Sequence, residues 1–386
     1  MAALALLVAG GGGTISGAAA PREGRATRAA WPMYRGDPAL TGVAPVSLPG
    51  RLALRWRFET GDAVLASAAI VDGVVYVGSD DQQLYALDLA TGRERWRFKA
   101  GGVVESSPLV LDGTVFFGDG DGGFHAVNAA TGKPRWRFAA EDQILGAPNW
   151  LPAPDGKGKW VVFGSYDTRL YCLDAATGRT NWVYETGNYI NGAPAVADGV
   201  TVFGGCDAIL HVLDLATGKK LREIEAGAYI AGSAALLDGR AYFGHYDNEF
   251  LCVDTRQGKI VWRFHDRNFP YFASPAVTKD RVLFGGRDRR LHCVGRADGK
   301  ELWAFATRGK VDSSPVVAGD KVVFGSDDGR LYLVSLADGK ELWRYEIGEA
   351  ITASPAVIEN RVVIGSEDGR VYCFGAPDAN GKKPSP

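Results

Sequence analysis

The side chains in this sequence that could bind a metal or attack a substrate are five histidines, five cysteines and a scatter of carboxylates. The cysteines are Cys172, Cys206, Cys252, Cys293 and Cys373. They include no CxxC and no adjacent pair, so their spacing points to neither zinc nor redox chemistry. Five is an odd number, so at least one thiol is free unless it pairs between chains. The histidines form no HxH or HExxH. The run DGDGG over 119–123 offers oxygen ligands, but it lacks the glutamate that closes a calcium loop of the EF-hand type. No Ser-His-Asp, Cys-His, P-loop or paired-carboxylate arrangement occurs in a recognisable context, so no catalytic residue and no metal ligand is assigned. One set of residues without a motif remains: Glu105, Gln143, Tyr189, Asn191, Tyr229, Tyr271, Phe272, Lys310 and Asp312. Acids, amides, a lysine and aromatics can together pair with, hydrogen-bond and stack on a ligand or a peptide. These residues matter only if the fold brings them together.

A repeat supplies that fold. DLATGRERWRF over 88–98 returns as NAATGKPRWRF over 128–138, DAATGRTNWVY over 174–184 and, degraded, DLATGKKLREI over 214–224. DTRQGKIVWRF, GRADGKELWAF and SLADGKELWRY follow. The anchors read as Trp56, Trp96, Trp136, Trp182, Leu221, Trp262, Trp303 and Trp343, 39 to 46 residues apart. Eight anchors at this period predict eight four-stranded blades. Within one unit, SSPVV, KVVFGS, LYLVS and ELWRY read as strands separated by turns, with Asp328-Gly329 as a hairpin signal. No useful window has helical periodicity. An insertion over 151–160 lengthens the third unit. The chain opens with a fourth strand, LALRWRF over 52–58, and finishes with three strands that lack a fourth. The expectation is an all-β, eight-bladed propeller of antiparallel blades, the last closed by the N-terminal strand, which leaves no free sheet edge.

Eight copies within one chain act as an internal control. Positions that recur in every copy serve the blade. Gly78, Gly118, Gly164, Gly204, Gly244, Gly285, Gly325 and Gly365 end the second strands, and an Asp follows three residues later, suited to bonding its own turn. His125, His211 and His292 fall in the slot of Tyr85, Tyr171, Tyr332 and Tyr372. Cys172, Cys252, Cys293 and Cys373 share one slot with Ala86 and Ala126 and read as small buried residues. Divergent positions at the first strands, which line a propeller's channel, are the binding candidates. They are the nine residues named above, placed at a funnel mouth on one face.

Composition agrees with one large repeat architecture. Apolar residues make up 46% of 386, and 51 glycines mark a turn-rich chain. A net charge of −2 with no concentrated basic stretch argues against nucleic acid as a partner. Residues 1–20 read as a signal peptide or leader, with Ala18-Ala19-Ala20 as a small-residue cleavage pattern, which implies a periplasmic or secreted protein. No later run is long and apolar enough to span a membrane. Residues 21–50 form an extension, 51–376 the propeller and 377–386 a flexible tail, and the expected state is a monomer.

The units GSDDGRLYLVSLADGKELWRYEIG and GSEDGRVYCFG, with the D-x-x-TGK-x-x-W pattern, resemble repeats of the pyrroloquinoline-quinone (PQQ) family. WPMYRGDPALTG over 31–42 resembles the leader of such bacterial propellers. Two functions follow from the resemblance. One is a non-catalytic scaffold that binds protein or peptide partners in the cell envelope, similar to the BamB-type propellers of outer-membrane protein assembly. Those carry a lipidated cysteine, and no cysteine lies near this leader. The other is a PQQ-dependent alcohol or sugar dehydrogenase, with Glu105, Asn191 and Asp312 as oxygen ligands to calcium and Asp312 as base. The adjacent-cysteine disulfide, the long cap loops and the haem CxxCH of such enzymes are missing here. The scaffold reading, without cofactor, is therefore the expectation.

Overall fold

A computed structural model describes residues 30–377. The expected leader and nearly all of the expected tail lie outside them. Among the described residues there are strands and turns and no helix, arranged as eight sheets. Each blade is an antiparallel meander running from the axis outward, as in Ala69–Val71, Val74–Ser79, Gln83–Asp88 and Glu94–Lys99 of blade 1. Blades 2 to 7 begin at Leu109, Asn149, Ala195, Ala235, Ala276 and Val316. Blade 8 joins both ends of the chain. Ala53–Glu59 pairs antiparallel with Arg370–Gly375, from Ala53 opposite Gly375 to Glu59 opposite Arg370. The insertion in the third unit separates Asn149–Pro152 from Lys159–Gly164.

The strand sequences explain the layers. Second strands such as VVYVGS at Val74–Ser79 are buried on both faces, because blades press face to face. Outer strands such as Glu94–Lys99 alternate exposed and half-buried residues. A bulge next to the anchor, as between Leu54 and Trp56, turns the indole toward the next blade. There Trp56 Nε1 donates to Leu89 O at 2.9 Å, and the ring covers Gly92. Gly92 has φ +71, and a Cβ on it would lie 2.6 Å from the indole, so glycine is needed for backbone and for space. Burying such a ring is worth about 1.5–3 kcal/mol or more.

One anchor differs from the sequence reading. Val212 pairs with Arg222 in the register in which Cys172 pairs with Trp182. Arg222, not Leu221, occupies the anchor slot of blade 4. Leu221 is the more apolar neighbour, but its side chain faces outward and is 45% exposed.

Residues 31–44 are woven into the channel. Trp31 exchanges two backbone hydrogen bonds with Ile70 of blade 1. The carbonyls of Pro32, Pro38, Ala39, Thr41 and Gly42 then accept from Val110, Val196, Leu236, Val277 and Val317, on blades 2, 4, 5, 6 and 7. Asn149 Nδ2 of blade 3 also reaches Pro38 O, and Val43–Ala44 pairs parallel with the first strand of blade 7. The strap thus circles the axis and ties the inner strands together. At its centre Arg35 is 1% exposed and donates to the carbonyls of Ser314, Pro275 and Pro315 at 2.5–3.1 Å.

Candidate funnel site

The first strands enclose an axial cavity of about 200 Å³. Its wall carries six serines whose hydroxyls accept backbone N–H groups from the preceding blade. Ser314 N to Ser354 Oγ and Ser354 N to Ser67 Oγ are two of these bonds, at 3.1 and 3.0 Å. Tyr34 of the strap lines the same cavity, with its hydroxyl 3.0 Å from both Ser274 Oγ and Ser314 Oγ. The cavity wall also includes Asn191, Phe272 and Asp312, from the sequence-derived ring, with Leu65, Leu145, Ala231 and Thr352.

A second ring joins them. In every blade the residue just past the second strand donates its N–H to the carbonyl of the lead-in loop, as in Tyr166 to Gln143, Tyr246 to Tyr229 and Asp327 to Lys310. This bond holds both side chains at the mouth. The second ring reads Asp80, Gly120, Tyr166, Cys206, Tyr246, Arg287, Asp327 and Glu367. Sequence reasoning missed it. The residues stand between the recurring Gly and Asp of each hairpin, and their divergence from copy to copy was the available signal.

The funnel is divided. Blades 3 to 6 supply aromatics. Tyr166 and Tyr189 stack with ring centroids 5.1 Å apart. Tyr229 meets Tyr246 at 6.1 Å, and Tyr246 meets Phe272 at 4.4 Å. Tyr189, Tyr229 and Tyr246 are each about half exposed, with relative exposures of 45–50%. Blades 7, 8, 1 and 2 supply carboxylates: Asp312, Asp327, Glu367, Asp80 and Glu105. Burial, reinforced by the charges of Glu105, Asp62, Asp81 and Glu367, pushes Asp80 up to about 6. Burial beside Asp312 does the same to Asp327. Burial also raises Glu105. One oxygen each of Asp80, Asn191 and Asp327 is buried without a partner. Arg287 sits where the two halves meet, 3.9 Å over the Phe272 ring and paired with Asp312 at 2.9 Å. Gln143 and Lys310 are exposed on the rim.

Tyr271 does not belong to the funnel. It is 0% exposed and edge-on to Phe284 at 5.2 Å. It fills the buried slot that Val64, Val104, Ile144, Ile190, Ile230, Val311 and Ile351 fill elsewhere. The slot histidines bond hairpin carboxylates as the slot tyrosines do: His211 to Asp207 at 2.8 Å, Tyr85 to Asp81 at 2.6 Å. In blade 2 the partner of His125 is Asp119, not the Asp121 of the recurring position. Burial pushes the thiols of Cys252, Cys293 and Cys373 up to about 11–12, which leaves them poor nucleophiles.

Residues 51–148, 126–262 and 247–380 match the family described as outer membrane protein assembly factor BamB. The chain belongs to this BamB-like PQQ-repeat family. Solved structures share its fold. BamB from Moraxella catarrhalis is 21% identical over 84% of this chain and 98% of its own, with a TM-score of 0.70. Quinohemoprotein alcohol dehydrogenase from Comamonas testosteroni is 17% identical over 94% and 82%, at 0.78. A europium-containing methanol dehydrogenase is 15% identical over 90% and 98%, at 0.75. No curated protein matches the chain. Likeness at these identities extends to the fold alone, and BamB-like propellers and dehydrogenases share it.

Proposed function

We propose that this BamB-like propeller is a non-catalytic binding protein of the cell envelope whose funnel mouth takes a segment of a protein partner. The divided funnel carries this reading. An aromatic arc facing a carboxylate arc suits a segment with basic and aromatic side chains, which the tyrosines would stack and the acids would pair. The envelope placement and the protein partner follow the family's description as an outer membrane assembly factor.

The residues present do not fit PQQ with calcium. Asp312, the base of that reading, is held by Arg287 on both oxygens. A cofactor bearing carboxylates would face Asp80, Glu105, Asp327 and Glu367 across the axis.

Calorimetric titration with a capped peptide of alternating lysine and phenylalanine tests the reading. Saturable binding by the wild type, lost in Tyr189→Ala/Tyr246→Ala, is expected. Equal binding by that variant, or stoichiometric uptake of PQQ and calcium that Glu105→Ala abolishes, would overturn it.

A further inference from the structure

At six seams between blades an indole N–H donates to a carbonyl of the next blade's outer turn. Trp182 reaches Leu215 O at 3.1 Å, and Trp262 reaches Arg296 O at 3.0 Å. Each ring lies against the turn glycine. A Cβ on Gly218 would sit 2.5 Å from Trp182, and one on Gly299 would sit 2.6 Å from Trp262.

The seam between blades 4 and 5 departs from this. Its slot holds Arg222, whose stem stands 3.6 Å from a Cβ on Gly258. The guanidinium bonds Arg256 O at 3.3 Å, one residue past the corresponding acceptor. Among the described residues no side chain donates to that acceptor, the carbonyl of Thr255, and Thr255 is 5% exposed. A cavity of about 210 Å³ opens beside Arg222 and reaches inward to Val212 and Leu236, with Val200, Leu221, Leu237 and Thr255 completing its wall.

We propose that this cavity receives a tryptophan side chain carried by an extended segment of a partner protein. The six filled copies define the occupant: in each, an indole lies on the seam and donates to the next blade's turn, and this cavity offers an apolar wall beside the equivalent turn residue, Thr255. The chain cannot fill the slot itself. All ten of its tryptophans lie among the described residues and none is exposed, and residues 1–29 and 378–386 contain no aromatic residue. A second copy has no exposed indole to offer either. In the filled seams the indole arrives on an outer strand. Here the outermost strand, Lys220–Glu225, has no partner on its outer edge among the described residues, and an incoming strand can lie along it. Arg222 then closes over the bound ring as a cation on its face. This site is remote from the funnel, and its test does not depend on funnel binding.

The experiment titrates isotope-labelled protein with a capped Gly-Ser-Trp-Ser-Gly peptide, with its alanine counterpart, and with free indole, following amide shifts. Expected is saturable perturbation of Leu236, Thr255 and Gly258 by the tryptophan peptide alone, weakened about tenfold or more in Arg222→Trp, which fills the slot from within. Arg222→Phe, a smaller filler, gives the same loss if the tryptophan variant does not fold. Unchanged binding in a folded filler variant, or no saturable binding by the wild type, would overturn the proposal. Indole that binds as well as the peptide would overturn the protein partner in favour of a small ligand.

Discussion

Arg287 grips Asp312 with two nitrogens, Nε at 3.2 Å from both carboxylate oxygens and Nη2 at 2.9 Å from one. The two come from different rings of the funnel, Asp312 from the lead-in loop of blade 7 and Arg287 from the hairpin of blade 6. Their pairing joins adjacent blades where the aromatic arc meets the acidic one. Removing the guanidinium leaves a mostly buried carboxylate unpaired and takes the cation off the Phe272 face. Arg287→Ala is expected to lose about 1–3 kcal/mol of stability and to weaken funnel binding. Chemical denaturation and peptide titration read these two effects, and a variant unchanged in both would contradict the role.

Asp80 and Asp327 give the funnel a pH dependence of definite sign. Folded, they hold their protons to about pH 6, whereas an unfolded aspartate loses its proton near 3.8. Between these values the folded state binds more protons, so stability falls as pH rises through the window. Asp80→Asn/Asp327→Asn removes the repulsion with Glu105, Glu367 and Asp312. Its melting temperature should exceed the wild type's by about 2–4 °C or more at pH 7.5, with the gap narrowing as pH falls through 6 and closing only below the unfolded value of 3.8. A gap that does not change with pH would exclude these two carboxyls as its source.

The docked indoles are structural. Trp303 donates to Leu336 O at 3.1 Å and covers Gly339, where a Cβ would lie 2.5 Å from the ring. Trp303→Ala should cost about 3 kcal/mol while peptide binding by the folded fraction stays unchanged. Full thermal stability in this variant would rule out docking as a load on the seam.

Arg35 locks the strap. Burial pulls its guanidinium down to about 10, which still leaves it charged at neutral pH. Arg35→Leu keeps the volume apolar but orphans three carbonyls. It is expected to lower the denaturation midpoint by the equivalent of about 1–3 kcal/mol and to raise amide exchange at Val277 and Val317. Native exchange rates at both would show that the strap holds without it.

The blade was legible because it is written eight times. Gly78 and its counterparts recur for a reason the copies expose: a Cβ on Gly78 would lie 2.2 Å from the carbonyl oxygen of Val104 in the next blade. Where copies diverge, apolarity misled. Leu221 looked like the anchor because Arg222 is charged, yet the bulge counts residues and not hydrophobicity. Tyr271 looked like a funnel residue because it adjoins Phe272, although its seven counterparts are Val or Ile. The hairpin ring of Asp80, Tyr246 and Arg287 lay hidden between recurring neighbours. The strap has no second copy, so no comparison within the chain could reveal that Arg35 would bond the inner strands of blades 6 and 7.

A photoreactive amino acid placed at position 246 in the funnel, and separately at 302 on an outer strand, tests the central claim in the cell. Tyr246 and Leu302 are about equally exposed, at 49% and 51%. A funnel that takes a protein segment should give a discrete protein adduct from 246, lost with Tyr189→Ala, and none from 302. Adducts from 302 alone, or none from 246 in a folded and expressed protein, would contradict it.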